Sequence, residues 1–186
     1  IYVIVQKRYF DDLIYVNYSK KEIVDDVNKL EHRLVKAALD KTSITRGIEI
    51  TTVADIPIAG TGLGSSSTLT VGLLNALYLF QGIQKSTEEL AQEACEIEID
   101  IVGSPIGVQD QYIAAYGGFR FFEFMPNGKV RVQKVRCSNK SSQYLEKRLM
   151  LFYTGITRKA RAILGRAKVR IRTNKFLLRG IRDLAI

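Results

Sequence analysis

The sequence predicts an α+β protein. Three observations point there. Polar and apolar residues alternate in short runs, as where Ile48, Ile50 and Thr52 enclose Glu49 and Thr51, the period of a half-buried strand. Other stretches carry apolar residues at helical spacing behind Ser-x-x-Glu signals that cap a helix N-terminus. Finally, "FRFFEF" and "KVRVQKV" flank "MPNG", Met125 to Gly128, which reads as a β-hairpin. Strands, helices and hairpins intermixed along one chain define the α+β class.

In chain order, residues 1–6 and 13–18 read as strands, with Asp11 and Asp12 in the turn between them. Residues 19–40 read as a helix. Val24, Val27, Leu30, Leu34, Val35 and Leu39 recur near helical spacing, and Ser19 with Glu22 forms a capping box. His32 falls on the charged face of that helix and is assigned no role. A strand follows around residues 48–52. Residues 68–80 suit a buried helix that is apolar on most sides, stopped by Gly82. Residues 86–98 form a second capped helix, and Gly117-Gly118 ends a third segment. After the hairpin, residues 148–153 read as a last apolar strand, and the chain beyond Thr157 as a basic, helical tail.

A chain of 186 residues fits one ordinary domain with a real core. No apolar run reaches the roughly 18 residues of a membrane span, and the first residues lack the features of a signal peptide. The chain opens without Met, in mid-strand, as a fragment would. Cys95 and Cys137 form no CxxC pair and read as reduced thiols of a cytoplasmic protein. The net charge is +9, yet ten basic residues and a single acid, Asp183, fall from Arg158 onward. The body before it is neutral, so the basic character belongs to the tail.

The most informative stretch is "PIAGTGLGSSSTLTVGLL", beginning at Pro57. Gly60, Gly62 and Gly64 occupy every second position and Ser65, Ser66 and Ser67 follow, at the mouth of the helix. Glycines let N–H groups turn toward an anion with no Cβ in the way. A helix N-terminus adds unpaired N–H groups and partial positive charge. Serine hydroxyls donate to phosphate oxygens or ligate Mg²⁺. The stretch has no lysine, which excludes a Walker loop, and its third glycine comes too soon for G-x-G-x-x-G. Taken alone, it is equally a Gly-rich turn with serine caps.

Pro57 through Ser66 resembles the phosphate-binding motif P-x-x-x-G-L-G-S-S of the GHMP kinases, with one extra residue after the proline. A second stretch, "EIEIDIVGSPIGVQDQYIAAYGG" from Glu96 to Gly118, is similar to the family segment that carries a metal-binding Glu and then G-x-P-x-G-x-x-D-Q. "GTGLGSSS", "GLLNALY" and "AAYGG" also have near copies in the bacterial D-glycero-D-manno-heptose 7-phosphate kinase branch, as does "LFYTGITR" at residues 151–158.

The resemblance implies the GHMP kinase N-terminal fold, like the second domain of ribosomal protein S5: a mixed sheet with helices on one face. It implies an ATP-binding domain over residues 1–157 that lacks its first strand. Residues 158–186 would be a basic segment opening a truncated C-terminal domain. It implies transfer of the ATP γ-phosphoryl to a sugar or sugar-phosphate hydroxyl, a heptose 7-phosphate above all, with ATP and Mg²⁺. Gly60, Gly62, Leu63, Gly64, Ser65, Ser66 and Ser67 would hold the nucleotide phosphates. Ser66 and Glu98 would hold the metal, and Asp110 would orient or deprotonate the acceptor hydroxyl. Gln109 and Gln111 have amides suited to sugar hydroxyls, and Gly117 and Gly118 suit a turn close to substrate. The chain departs from the family where Ser104 replaces the usual Glu before Pro105.

Two other readings belong beside this one: a truncated, non-catalytic GHMP-like domain, and an RNA-binding module of the ribosomal type. A neutral body and the lack of a basic-aromatic stripe argue against the second, leaving only nonspecific polyanion binding through the tail. Apolar residues in the tail trace no clean stripe, which predicts self-association.

Overall fold

The computed structural model describes residues 1–55, 62–152 and 175–184. Its main sheet has four strands: β1 (Tyr2–Lys7), β2 (Ile14–Asn17), β3 (Lys21–Val24) and β4 (Ile48–Val53). They lie in the order β1-β4-β2-β3. β4 runs antiparallel to β1 and parallel to β2, so the sheet is mixed. The strands β1 and β2 are therefore not neighbours; β4 inserts between them after a crossover through α1 (Arg33–Thr42). The turn between them is held by Asp11, whose Oδ1 accepts from the Leu13 N–H at 3.1 Å.

Alternation sorts each strand into two faces. Ile14, Val16, Ile48 and Ile50 are wholly buried, with Val3 and Val5 packed beside them. They meet α1 and α2 (Ser65–Phe80), whose Leu69, Leu73, Leu74 and Leu77 are also fully buried. Gly72 makes this approach possible: a Cβ there would sit 3.1 Å from Val3 Cγ2. The helices thus cover one face of the sheet, as the resemblance implies. The other face carries Tyr2, Ile4, Ile23 and Val53 in the open. Between them Glu49 accepts from Gln6, Arg8 and Asn17.

The long helix expected over residues 19–40 is two structures. Residues Lys21–Val24 pair with β2, after a tight turn in which the Tyr18 N–H donates to the Lys20 carbonyl. A 3₁₀ turn (Val27–Lys29), capped by Asp26, leads to α1. Tertiary pairing overrides local period here: Val24 and Val27 match helical spacing by coincidence, and Ile23-Val24 is β-branched. Glu22 does not cap a helix at Ser19. It accepts from the Glu31 and His32 N–H groups and from Tyr18 Oη. His32 is not on a solvated face either. It is the N-cap of α1, with Nδ1 accepting from the Val35 N–H and its ring edge-on to Tyr18 at 4.7 Å.

The helix α3 (Thr87–Cys95) has the full capping box at Ser86 and Glu89. It runs without a break into a π-helical stretch, Glu96–Ile101. After α4 (Gln109–Tyr116), the expected hairpin forms from β5 (Arg120–Phe124) and β6 (Val130–Lys134), with Phe122 opposite Val132. A helix that the sequence reading did not anticipate, α5 (Asn139–Glu146), opens on a Ser138 cap. The strand expected over residues 148–153 is absent as far as residue 152. No described strand pairs there; the Arg148 and Leu149 N–H groups instead bond back to Leu145, and the guanidinium of Arg148 lies 3.3 Å over Tyr144. Tyr153 and the tail up to residue 174 lie outside the described residues. The described tail is a helix, α6 (Lys175–Asp183), with Leu178, Ile181 and Leu184 exposed. Among the described residues no helix is long and apolar enough to cross a membrane.

Candidate active site

The site is built where α2, the π-helical stretch and α4 begin or turn. Gly64 is the N-cap of α2 and sits in the left-handed region at φ +67. Gly62 is left-handed too, at φ +73. An ordinary residue at either position is strained by about 1–2 kcal/mol. Gly64 offers no side chain to cap the helix, and a helix mouth opened by glycine is the kind of site at which backbone N–H groups can meet an anion. Leu63 is half exposed. Gly60 lies outside the described residues.

Ser66 and Ser67 turn their hydroxyls toward one carboxylate. Their Oγ atoms lie 3.2 and 3.1 Å from Glu98 Oε2. Glu98 sits in the π-helical stretch, 1% exposed. Its Oε1 has no partner among the described residues. A π-turn widens the helix and re-aims its side chains, and here it aims a carboxylate at the mouth of α2. Burial pushes the Glu98 carboxyl above its ordinary value, and the neighbouring hydroxyls of Thr70, Ser67 and Ser66, with the Gln111 amide, offset that only in part. A buried acceptor left unmatched is costly, and a cation is the partner that would match it. Among the described residues no three acids, histidines or cysteines gather into a metal cluster. The donors present, a carboxylate and hydroxyls, are the hard oxygens Mg²⁺ takes when phosphates and water complete its shell.

Asp110 opens α4 and is exposed. Its carboxyl carbon lies 3.4 Å from where a Cβ on Gly64 would be, so the carboxylate lies against the loop. Ser66, Glu98 and Asp110, spread over the sequence, therefore converge on one helix mouth.

The glutamines divide. Gln109 is exposed. Gln111 is fully buried and so cannot serve as a sugar contact. In the amide orientation that satisfies both its ends, its nitrogen donates to the Gly107 and Val108 carbonyls, both at 3.2 Å, and its oxygen faces Ser67 Oγ at 3.2 Å. The single Ser67 proton thus faces two acceptors, and the charged one, Glu98, binds it more strongly. Gly117 and Gly118 are left-handed, at φ +58 and +69, and turn the chain from α4 into β5. They are at the far end of α4, about 10 Å along the axis from Asp110 at 1.5 Å per residue. Sequence reasoning missed Ser67 as a partner of Glu98 and missed the π-turn, which leaves no signal beyond the run "EIEIDI".

A glycine-capped helix mouth beside a buried carboxylate is the arrangement that the resemblance to small-molecule kinases implies, and likeness to known proteins shows the family. The family model "GHMP kinases N terminal domain" matches residues 28–118, and the chain belongs to that family. Among curated relatives, it is 37% identical over 169 residues to the D-glycero-alpha-D-manno-heptose 7-phosphate kinase of Campylobacter jejuni. That match covers 88% of this chain and 49% of the relative, so the chain spans about half of the protein it resembles. Two solved structures share the fold. One is a D-glycero-D-manno-heptose 1-phosphate kinase from Bacteroides thetaiotaomicron, with a TM-score of 0.71 and 29% identity over 77% of this chain and 50% of that one. The other, from Campylobacter jejuni and described as a candidate sugar kinase, has a TM-score of 0.73 and 28% identity over 98% of this chain and 60% of its own.

Proposed function

We propose that the chain forms the phosphate-handling half of an ATP-dependent sugar kinase, which transfers the ATP γ-phosphoryl to a hydroxyl of a sugar phosphate, a heptose phosphate by its relatives. The observation that carries this reading is the convergence of the Ser66 and Ser67 hydroxyls on buried Glu98, with Asp110 against Gly64. Phosphoryl transfer needs positioning and charge neutralisation more than covalent help. The backbone N–H groups at Gly62, Leu63, Gly64, Ser65, Ser66 and Ser67, with Gly60 ahead of them, would cradle the phosphates. Ser66 and Glu98 would hold Mg²⁺, which supplies charge neutralisation at the phosphate oxygens. Asp110 would accept the proton of the acceptor hydroxyl, with Gln109 free to contact the sugar. Gln111 would brace the turn before α4 from inside.

This reading puts the protein in the cytoplasm, where ATP is. Both cysteines are free, which suits a reducing compartment. The domain boundary at residue 157 belongs to the same proposal. The test is thermal denaturation with Mg·ATP, ATP alone, and single-stranded RNA. Stabilisation that needs both Mg²⁺ and the triphosphate supports the kinase reading. No shift from Mg·ATP, or a shift from RNA alone, overturns it in favour of a non-catalytic or RNA-binding domain.

A further inference from the structure

The base proposed above is only as good as the placement of α4, and one carboxylate outside the cleft governs that placement. Glu88 lies in the first turn of α3, where a negative charge suits the helix dipole. It accepts from three donors. Tyr112 Oη and Gln92 Nε2 reach its Oε1 at 2.8 and 2.7 Å, and Tyr116 Oη reaches its Oε2 at 2.8 Å. The two tyrosines are one turn apart on α4, so both face α3. Their rings lie 6.2 Å apart and nearly parallel, at 7°. Both meet Phe122 of β5 edge-on at 6.4 Å. Burial first, and then the hydrogen bond to Glu88, push the pKa of both phenols up, so the phenols remain donors. Two hydrogen bonds to one carboxylate, the stronger kind of hydrogen bond, therefore fix α4 along α3 in a single register.

That register has a consequence at each end. α3 continues directly into the π-helical stretch that carries Glu98. Two residues before Tyr112, α4 presents Asp110 to Gly64. We propose that Glu88 is a positioning residue: by holding Tyr112 and Tyr116 together it sets Asp110 against the Gly64 loop at a fixed distance from Glu98. This rests on the reading of Asp110 as the proton acceptor, and the test below separates the two.

The variants are Glu88→Gln, which keeps shape but loses the charge that accepts both phenols, and the double Tyr112→Phe/Tyr116→Phe, which removes both hydroxyls and keeps both rings. In a full-length chain carrying this domain, each is expected to lower kcat about 10- to 100-fold with the KM for ATP within twofold, because a displacement of about 1 Å at the base costs on that order. In an Asp110→Asn background, Glu88→Gln is expected to cost nothing further, since groups that act through one another are not additive. A full additional loss there would mean Glu88 acts on stability alone and would overturn the proposal. Amide hydrogen exchange in the present chain gives a readout independent of catalysis. Glu88→Gln should speed exchange across Gln109–Tyr116 and leave the first turns of α2 unchanged. Unchanged exchange in α4 overturns the clamp whatever the enzyme does. Faster exchange in α4 with an Asp110→Asn enzyme that retains full activity keeps the clamp and removes the reading of Asp110 as base.

Discussion

Two glutamates hold opposite positions in this molecule. Glu49 sits on the open face of the sheet, with every carboxylate oxygen satisfied: Asn17 donates to Oε1 at 2.8 Å, and Gln6 and Arg8 donate to Oε2 at 3.0 Å each. Its carboxyl is held below the ordinary value, first by the Gln6 and Asn17 hydrogen bonds and then by Arg8. Glu98 sits at the mouth of α2, nearly inaccessible, with one oxygen unpartnered and its carboxyl pushed up by burial. The first is arranged to stabilise the resting protein. The second is left incomplete, at a cost to stability, and such strain concentrates where a ligand completes the structure.

The comparison breaks most sharply on substitution of Glu98. Glu98→Gln is expected to lower phosphoryl transfer by at least about 100-fold, since charge neutralisation by a metal contributes several kcal/mol. The same variant should raise the melting temperature in metal-free buffer, because it removes a buried charge with one oxygen left without a hydrogen bond. Thermal unfolding and a coupled kinase assay measure both. A variant both less active and less stable would make Glu98 a structural residue like Glu49.

Gly64→Ala should come next. The left-handed φ costs about 1–2 kcal/mol, and the new methyl packs against the Asp110 carboxylate. Urea denaturation should report that loss, together with weaker Mg·ATP binding in calorimetry. Glu49→Gln should cost about 1.5–3 kcal/mol at neutral pH, the range for hydrogen bonds to a charged group, with nucleotide binding unchanged. Because folding lowers the Glu49 pKa, its contribution is present above 4.5 and is lost as pH falls below that value. The gap between wild type and Glu49→Gln should therefore close in acid. The smallest effect belongs to His32. Burial lowers its pKa below 6.5, so the unfolded chain takes up the proton first and stability declines as pH falls from 6.5. His32→Asn keeps an N-cap and should remove that part of the slope, read from melting temperatures between pH 7 and 5.

The contrast between the glutamates also shows what a sequence displays. The glycine-serine loop was legible, because Gly62, Gly64 and the serines owe their role to local backbone geometry. The helix α2 and the hairpin were legible from their periods. The division at Val24 was not, because Lys21–Val24 forms a strand only through its pairing with β2. Asp110 and Glu98 could be named by resemblance, but nothing local showed that Gln111 is spent inside the protein. Nor did spacing show that Gly117 and Gly118 lie a full helix away from Asp110. Burial and helix length decide those points, and both are properties of the folded chain. Glu88 gave no signal at all, since its partners Tyr112 and Tyr116 lie 24 and 28 residues away.

On the proposed function, the Glu98 oxygen without a hydrogen bond would be completed by a cation held together with nucleotide phosphates. Isothermal calorimetry of ATP binding, with and without Mg²⁺, tests it directly on wild type and Glu98→Gln. The account predicts that Mg²⁺ strengthens ATP binding to wild type about tenfold or more, on the scale that ligands and their supports contribute to metal sites, and leaves binding to Glu98→Gln unchanged. Equal Mg²⁺ dependence in the two proteins would contradict it.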